Sequence, residues 1–200
     1  MEIGQKLRVT TRKAWRAWRE KNHAREKEIW LVYATKQSGK GRVPYSDAVE
    51  EALCFGWIDS TVKSIDENYF AQRFSPRRNA KSQLSETNKE RVRRMIRAGL
   101  MTPAGMEKIR RRMSEKFVLP ADIVAALKRD PKVWKNFQRF PKWYQRVRVG
   151  WLDMSRHRQE IFRARLRYFL KMTAQNKRYG HIHDTKGRAA ALRRPLTRRR

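Results

Sequence analysis

Cysteine is almost absent from this chain, with Cys54 the only one among 200 residues. A single cysteine cannot form an intramolecular disulfide, so the composition does not indicate an oxidising compartment. Apolar runs are also short, and none approaches the roughly 20 residues of a membrane-spanning helix. The N-terminal sequence has no apolar stretch typical of a signal peptide. We therefore expect a cytoplasmic protein without a transmembrane segment.

Acidic residues are scarce as well. The chain has 50 Lys and Arg residues against 19 Asp and Glu residues, a formal net charge of +31. Such a surface attracts nucleic acid and other anionic partners, although an arginine-rich genome would produce the same bias. Residues 36–75 are the exception, because they hold five basic and six acidic residues. We expect any defined chemical site in this segment, which includes Cys54.

Several catalytic patterns are also missing from the sequence. The loop SGKG at 38–41 lacks the GxxxxGK[ST] spacing of a phosphate-binding loop. The four histidines are scattered, so we expect no metal site, and no Ser/His/Asp arrangement is evident. The sequence therefore predicts no cofactor and favours a binding protein over an enzyme.

The order of apolar patterns predicts an α+β fold. A helix is expected from Thr11 to about Lys21, a buried strand at 28–36, a helix capped by Ser46, and a β-hairpin at 57–75. Two helices follow on either side of Gly99, the first with a Thr87/Glu90 capping box. The predicted organisation is an α+β domain at 1–117, with a small antiparallel sheet and packed helices, an all-helical module at 118–174, and a disordered basic tail at 175–200.

The hairpin and the preceding helix supply the candidate ligand pocket. We expect it to be lined by Cys54, Trp57, Asp59, Arg73 and Arg77, which would hold a small polar or anionic ligand. An alternative is that Asp59 and Arg73 form a structural ion pair across the two strands. Cys54 lies at the C-terminus of a helix beside acidic residues, which disfavours a thiolate, so packing is the favoured role for this residue.

Basic helices give a second candidate function, nucleic-acid binding. The connection at 99–103 is short and contains glycine, as in a helix-turn-helix. Exposed basic side chains are common on solvated helix faces, however, so non-specific phosphate contact is favoured over sequence readout. The candidate contact residues are Arg110, Arg111, Arg112, Arg163 and Arg167.

Three stretches of the sequence carry a family resemblance. They are YSDAVEEALCFGWIDSTVKSIDENYFAQRFSPRR, NKERVRRMIRAGLMTPAG and the C-terminal LPADIVAALKRDPKVWKNFQRF with WYQRVRVGWLD. Together they resemble the YdeI/OmpD-associated family, often described as bacteriocin-protection proteins. The resemblance implies an α+β domain with a helical extension. It also implies a link to stress or antimicrobial-peptide resistance in bacteria, without an established catalytic mechanism.

Overall fold

The computed structural model describes residues 2–77 and 83–180. Within these ranges the strands are β1 (Lys6–Leu7), β2 (Ile29–Ala34), β3 (Trp57–Ser64) and β4 (Tyr69–Pro76). The helices are α1 (Arg12–Asn22), α2 (Tyr45–Cys54), α3 (Glu86–Arg97), α4 (Pro103–Ser114), α5 (Ala121–Lys128), α6 (Pro131–Arg139), α7 (Lys142–Asp153) and α8 (Gln159–Ala174). No helix in the described ranges has the length and hydropathy needed to span a membrane.

The chain divides into two compact units. The first comprises Met1–Gln83 with Val92–Ser114, and the second comprises Leu84–Arg91 with Glu115–Arg200. Helix α3 therefore contributes residues to both. The domain boundaries expected at 117 and 174 stay predictions, and residues 181–200 of the expected tail lie outside the described residues.

The first unit contains a four-stranded sheet in the order β1-β2-β4-β3. Strands β2, β4 and β3 are antiparallel neighbours, as the hairpin pattern predicts, whereas β1 pairs parallel to β2. The α+β prediction is confirmed, with the sheet mixed rather than purely antiparallel. A two-residue strand has no periodicity of its own, so β1 is set only by its long-range pairing with β2.

Helix α1 covers one face of this sheet with aromatic side chains. Thr11 caps it as predicted, since its hydroxyl accepts a hydrogen bond from the Ala14 N–H at 3.1 Å. The Trp15 ring stacks on Trp18 and meets the edge of Phe74 with centroids 5.3 Å apart. Trp15 is completely buried and forms part of the core of the unit.

Two predicted helix starts are wrong by two residues. Helix α2 begins at Tyr45 after Pro44, so Ser46 lies inside its first turn and does not cap it. Helix α3 begins at Glu86, where the Ser85 hydroxyl accepts from the Asn88 N–H at 3.2 Å. In both cases the residue at the boundary, Pro44 or Ser85, lies two positions before the predicted cap, a shift that spacing alone does not resolve.

The acidic residues of α2 are buried under arginine side chains. Arg12 and Arg16 both contact Glu51, at 2.6 and 2.8 Å. Arg12 and Arg94 both contact Glu50, at 2.9 and 2.6 Å. Helix α2 is therefore buried from Ala48 to Cys54, on its polar side as well as its apolar side. The nearly neutral segment at 36–75 therefore supplies the carboxylates that pair with basic residues of α1 and α3.

The second unit is helical. Its core includes buried side chains of α5 to α8 and of the connection after α6, namely Ile123, Leu127, Val133, Phe137, Phe140, Tyr144, Val149, Leu152, Phe162 and Phe169. Pro120 and Pro141 precede α5 and α7, and Pro131 is the first residue of α6, where the fixed φ of proline suits a helix start. The Tyr179 N–H donates to the Tyr144 hydroxyl at 3.0 Å, so the chain stays packed on α7 after α8 ends.

Candidate functional site

The strand register determines which hairpin side chains share a face of the sheet. Asp59 lies directly opposite Phe74, and the Gln72 amide reaches the Asp59 carboxylate. These residues therefore point toward the face that α1 covers, which we call the inner face. Arg73 is adjacent to Phe74 on the same strand, so its side chain leaves the opposite face. Asp59 and Arg73 therefore do not meet, and the predicted ion pair between them is absent.

A β-bulge changes the register within β3. Asp59 pairs with Phe74, yet the next pair toward the turn is Val62 with Gln72, so β3 holds one extra residue. Simple alternation from Asp59 would place Thr61 on the inner face. The bulge instead brings Val62 to the inner face, where it is 55% exposed beside Gln72.

Asp59 holds two hydrogen bonds from different elements. Its Oδ2 accepts from the Tyr45 hydroxyl at 2.8 Å and from the Gln72 amide at 2.9 Å. The carboxylate is half-buried, and it joins the start of α2 to the hairpin. Two donors on one carboxylate oxygen fix the orientation of Tyr45 and Gln72 at the border of an open cavity.

The cavity is a cleft of about 700 Å³ on this side of the first unit. The Tyr45 ring forms a partly apolar section of its rim and is 50% exposed. The Arg42 guanidinium donates to the Ala34 carbonyl at 3.0 Å, which fixes it in the wall. The lining residues are Tyr33, Arg42, Pro44, Tyr45, Val62, Phe70 and Gln72. We call this cavity the cleft.

Tyr33 forms an aromatic wall of the cleft together with Phe70. Its ring stacks on Phe70, with centroids 5.2 Å apart and planes within 10°. The side chain is 2% exposed, and among the described residues none forms a hydrogen bond with its hydroxyl. Burial raises the pKa of the Tyr33 phenol, and the charges of Tyr45 and Asp59 raise it further. The Tyr33 phenol therefore stays neutral, and its hydroxyl can donate a hydrogen bond.

Trp57 lies in the core of the inner face, away from the cleft lining. Its ring stacks on the Arg19 guanidinium at 4.0 Å, and its indole N–H donates to the His23 carbonyl at 3.3 Å. The Trp15 ring covers the other side of Arg19, also at 4.0 Å. Trp57 is 1% exposed, so its role in this conformation is to enclose Arg19.

Cys54 is buried at the end of α2. Its carbonyl accepts from the Thr102 hydroxyl at 2.6 Å, which ties α2 to the start of α4. Burial, helped by the charge of Glu51, raises the pKa of the Cys54 thiol to about 12, although Arg16 and Arg12 oppose the shift. The thiol is therefore protonated at neutral pH, as its position at a helix C-terminus suggests.

Arg73 and Arg77 occupy different environments. The Arg73 Nε donates to the Glu28 carboxylate at 2.9 Å on the outer face of the sheet. Arg77 is 5% exposed, and its backbone N–H donates to the Gly56 carbonyl at 2.9 Å. Burial and the nearby Arg112 lower the pKa of Arg77, while Asp59 opposes the shift. Of the five candidate pocket residues, Asp59 lies closest to the cleft, through Tyr45 and Gln72.

The candidate nucleic-acid residues lie mostly on exposed surfaces. Arg110 and Arg111 are exposed on α4, and Arg112 is half-buried there. Arg163 and Arg167 are exposed on α8, four residues apart and therefore on one side of the helix. Within residues 2–77 and 83–180, no group of three His, Cys, Asp or Glu side chains could hold a metal ion.

Sequence reasoning missed the residues that line the cleft, and it missed Arg19. Tyr33 and Arg42 come from a strand and a loop that look unrelated in the sequence, so only the tertiary structure brings them together. Arg19 did carry a signal. It lies four residues after Trp15, on the same face of α1, where a charged residue is out of place.

Comparison with known families gives two matches. Residues 7–108, just over half of the chain, match the family described as domain of unknown function DUF8412. Residues 116–176 match the family described as bacteriocin-protection, YdeI or OmpD-associated. No curated protein and no solved structure matches significantly.

The two matches divide the predicted resemblance. The first two stretches that carry the resemblance, at 45–78 and 88–105, lie within the DUF8412 match. The YdeI/OmpD-associated match covers α5 to α8 and the third stretch. The match of residues 116–176 confirms the predicted YdeI/OmpD-associated family. The chain thus belongs to the DUF8412 family and carries, in its C-terminal helices, a domain of the YdeI/OmpD-associated bacteriocin-protection family.

Proposed function

We propose that this protein binds a small polar ligand in the cleft and acts, without catalysing a reaction, in bacterial stress or bacteriocin resistance in the cytoplasm. The observation that carries the ligand proposal is the hydrogen-bonded set of Tyr45, Asp59 and Gln72 at the border of an aromatic cleft. Fixed polar groups beside stacked rings are the usual composition of a small-molecule site. The bacteriocin-protection description of the C-terminal match motivates the physiological part.

A binding role suits these residues better than a catalytic one. The Asp59 carboxylate holds two hydrogen bonds that position neighbouring side chains, and the Cys54 thiol is buried and protonated. The stacked Tyr33 and Phe70 rings offer a flat apolar surface. Such a surface suits a planar part of a ligand, while Gln72 and Arg42 can contact polar substituents.

Thermal-shift screening tests the ligand proposal directly. The panel would contain small carboxylates, phosphate esters and neutral polar metabolites. We expect some compounds to raise the melting temperature of the wild type. Val62→Arg should abolish the shift, because it places a long charged side chain in the cleft. Ile96→Arg is the matched control, since Ile96 is an exposed apolar residue of α3 that does not line the cleft.

The result is informative in either direction. Hits that disappear in Val62→Arg and remain in Ile96→Arg support the cleft. Equal shifts in both variants would refute it. Trp57→Ala and Arg73→Ala test the five-residue pocket that the sequence predicts. Unchanged hits in both variants would exclude these two residues from ligand contact.

The physiological part requires a test in cells. Bacteria that lack this chain are expected to be more sensitive to a bacteriocin or a cationic antimicrobial peptide. Wild-type protein should restore resistance, and Val62→Arg should not, although it is produced at the same level. Full rescue by Val62→Arg would separate the resistance role from the cleft.

A second candidate function is nucleic-acid binding. The observation that favours it is the exposed row of Arg163, Arg167 and Lys171 on α8, in a chain of net charge +31. Binding of double-stranded DNA should then weaken steeply with salt, since each phosphate contact releases a counterion. Arg163→Ser with Arg167→Ser should reduce the logarithmic salt slope by about 2.

The matched control for this pair is Arg129→Ser, which removes an exposed arginine outside α8. Deleting residues 181–200 removes seven further basic residues and should reduce the slope again. A salt-independent affinity, or equal effects of the control and the α8 variants, would argue against this function.

A further inference from the structure

Arg19 is a fully buried cation that pairs with no carboxylate in residues 2–77 and 83–180. It is 0% exposed, and its guanidinium lies between the Trp15 and Trp57 rings at 4.0 Å from each. The rings of Trp18 and Phe74 complete the enclosure, at 5.4 and 5.5 Å. Within the described part of the chain, none of its three side-chain nitrogens has a hydrogen-bond partner. Aromatic faces attract a cation but offer no hydrogen-bond acceptor in the guanidinium plane.

This arrangement is costly for the unliganded protein. Burial lowers the pKa of the Arg19 guanidinium well below its usual value, yet arginine remains protonated in proteins. Buried charges normally have an ionic partner, and buried N–H donors normally have an acceptor. Cation–π contacts compensate for only part of this cost. A methionine of similar length would fill the same space without a charge.

Tyr33 is the residue that links this cation to the cleft, because it lines the cleft and interacts electrostatically with Arg19. Its ring lines the cleft, whereas its hydroxyl is buried, has no hydrogen-bond partner among the described residues, and interacts electrostatically with the Arg19 guanidinium. Both side chains thus hold buried hydrogen-bond donors that have no partner among the described residues. An oxyanion placed there would satisfy the guanidinium and the hydroxyl together.

We infer that Arg19 and Tyr33 form a carboxylate-binding subsite at the inner end of the cleft, so that the ligand is a small planar carboxylic acid. The inference rests on the proposed ligand-binding function and specifies its ligand class. The planar part of the ligand lies against the stacked Tyr33 and Phe70 rings. Its carboxylate accepts hydrogen bonds from the Arg19 guanidinium and the Tyr33 hydroxyl.

Charge and shape favour a carboxylate over a phosphate. One guanidinium neutralises one negative charge, and its planar fork matches the two oxygens of a carboxylate. A phosphate monoester brings close to two negative charges, so one would stay uncompensated among the tryptophan rings. The Arg19 guanidinium and the Tyr33 hydroxyl are both buried in this conformation. The ligand carboxylate can therefore reach them only if a side chain of the cleft wall rotates.

Benzoate is a suitable probe, with benzamide as its neutral isostere and phenyl phosphate as the dianionic comparison. Titration calorimetry on the full chain should show benzoate binding at least tenfold more tightly than benzamide or phenyl phosphate. The titration is repeated at two salt concentrations, because a chain of charge +31 attracts anions non-specifically. The preference for benzoate should persist at the higher concentration.

Arg19→Met separates this subsite from a merely structural arginine. It should lower the benzoate affinity about tenfold to a hundredfold and leave benzamide binding unchanged. The same variant should raise the melting temperature of the unliganded protein by about 2–4 °C, because it removes an unpaired buried charge. Arg25→Met is the matched control, since Arg25 is exposed and outside the cleft.

Tyr33→Phe provides a second variant that keeps the ring stack and removes only the hydroxyl. It should reduce the benzoate preference about tenfold even if Arg19→Met fails to fold. Absence of benzoate binding to the wild type would overturn the inference, as would an unchanged benzoate-to-benzamide ratio in either variant. The proposal that the cleft binds a ligand would remain supported if other compounds bound to the wild type and not to Val62→Arg. That proposal would be refuted only if no compound did so.

Discussion

At the scale of single residues, burial has more influence on the chemistry of this protein than sequence neighbours do. Cys54 follows two glutamates in the sequence, yet the structure buries the thiol and also buries the glutamates under Arg12 and Arg16. Desolvation is the largest influence on the thiol, and it favours the neutral form. Cys54 is therefore a packing residue.

The first prediction concerns the reactivity of Cys54. Its pKa of about 12 lies above that of an unfolded cysteine, so the native thiol should react with a disulfide reagent at pH 8 only through unfolding. Between about pH 9 and 12 the unfolded state loses the proton first, so this residue lowers the stability as the pH rises. Timed labelling with and without denaturant measures the protection. Rapid labelling of the native protein would contradict it.

The second prediction concerns Arg73. Because Arg73 of β4 pairs with Glu28, the residue before β2, Arg73→Met should lower the free energy of unfolding by about 1 kcal/mol. A double-mutant cycle with Glu28→Gln should give a coupling energy of similar size. Denaturant unfolding measures all four variants, and Arg25→Met serves as the exposed control. Additive effects would show that the pair contributes nothing.

At the scale of secondary-structure elements, the end of α2 is the point on which α4 packs. The Thr102 hydroxyl accepts from the Gly105 N–H at 3.1 Å while it donates to the Cys54 carbonyl. Gly105 lets the two backbones approach closely. A Cβ at Gly105 would lie 2.0 Å from the Cys54 carbonyl oxygen, which is backbone and cannot rotate away.

The third prediction follows from this close approach. Gly105→Ala should lower the free energy of unfolding by more than about 3 kcal/mol, since α4 must move away from α2. Gly41→Ala is the control, because a Cβ there meets its nearest neighbour, a Thr10 methyl, at an ordinary 3.6 Å. Chemical denaturation of both variants gives the comparison. Equal stabilities would mean that the helices can adjust at little cost.

The hairpin shows which features of a secondary-structure element the sequence predicts and which it does not. Its two strands and the alternation of Gln72 with Arg73 follow from the sequence pattern. The bulge after Asp59 does not, because it depends on how β3 pairs with β4. The candidate pocket mixed residues of both faces because the register was unknown.

At the scale of the whole molecule, the positive charge is distributed unevenly. Residues 36–75 are nearly neutral, whereas residues 120–200 hold 23 basic and five acidic residues. Ion pairs such as those around Glu50 and Glu51 neutralise equal numbers of basic and acidic charges, so they leave the net charge of +31 unchanged. Self-repulsion among these charges opposes folding.

The fourth prediction concerns salt. Raising the sodium chloride concentration from about 0.05 to 0.5 M shortens the Debye length to a few ångströms and screens this repulsion. The melting temperature should therefore rise, although the exposed ion pairs weaken. An uncharged osmolyte at equal osmolality is the control for solvent effects. A melting temperature that falls with salt would show that the ion pairs outweigh the repulsion.

The sequence by itself determined the α+β class, most helices and strands, the location of the hairpin and the resemblance to the YdeI/OmpD-associated family. These features depend on local periodicity, capping residues and motif order, which the linear sequence carries. The tertiary structure alone decided the cleft, the separation of Asp59 from Arg73, and the enclosure of Arg19 by Trp15 and Trp57. The physical reason is that register, bulges and burial arise from contacts between distant segments, and they set which polar groups have partners.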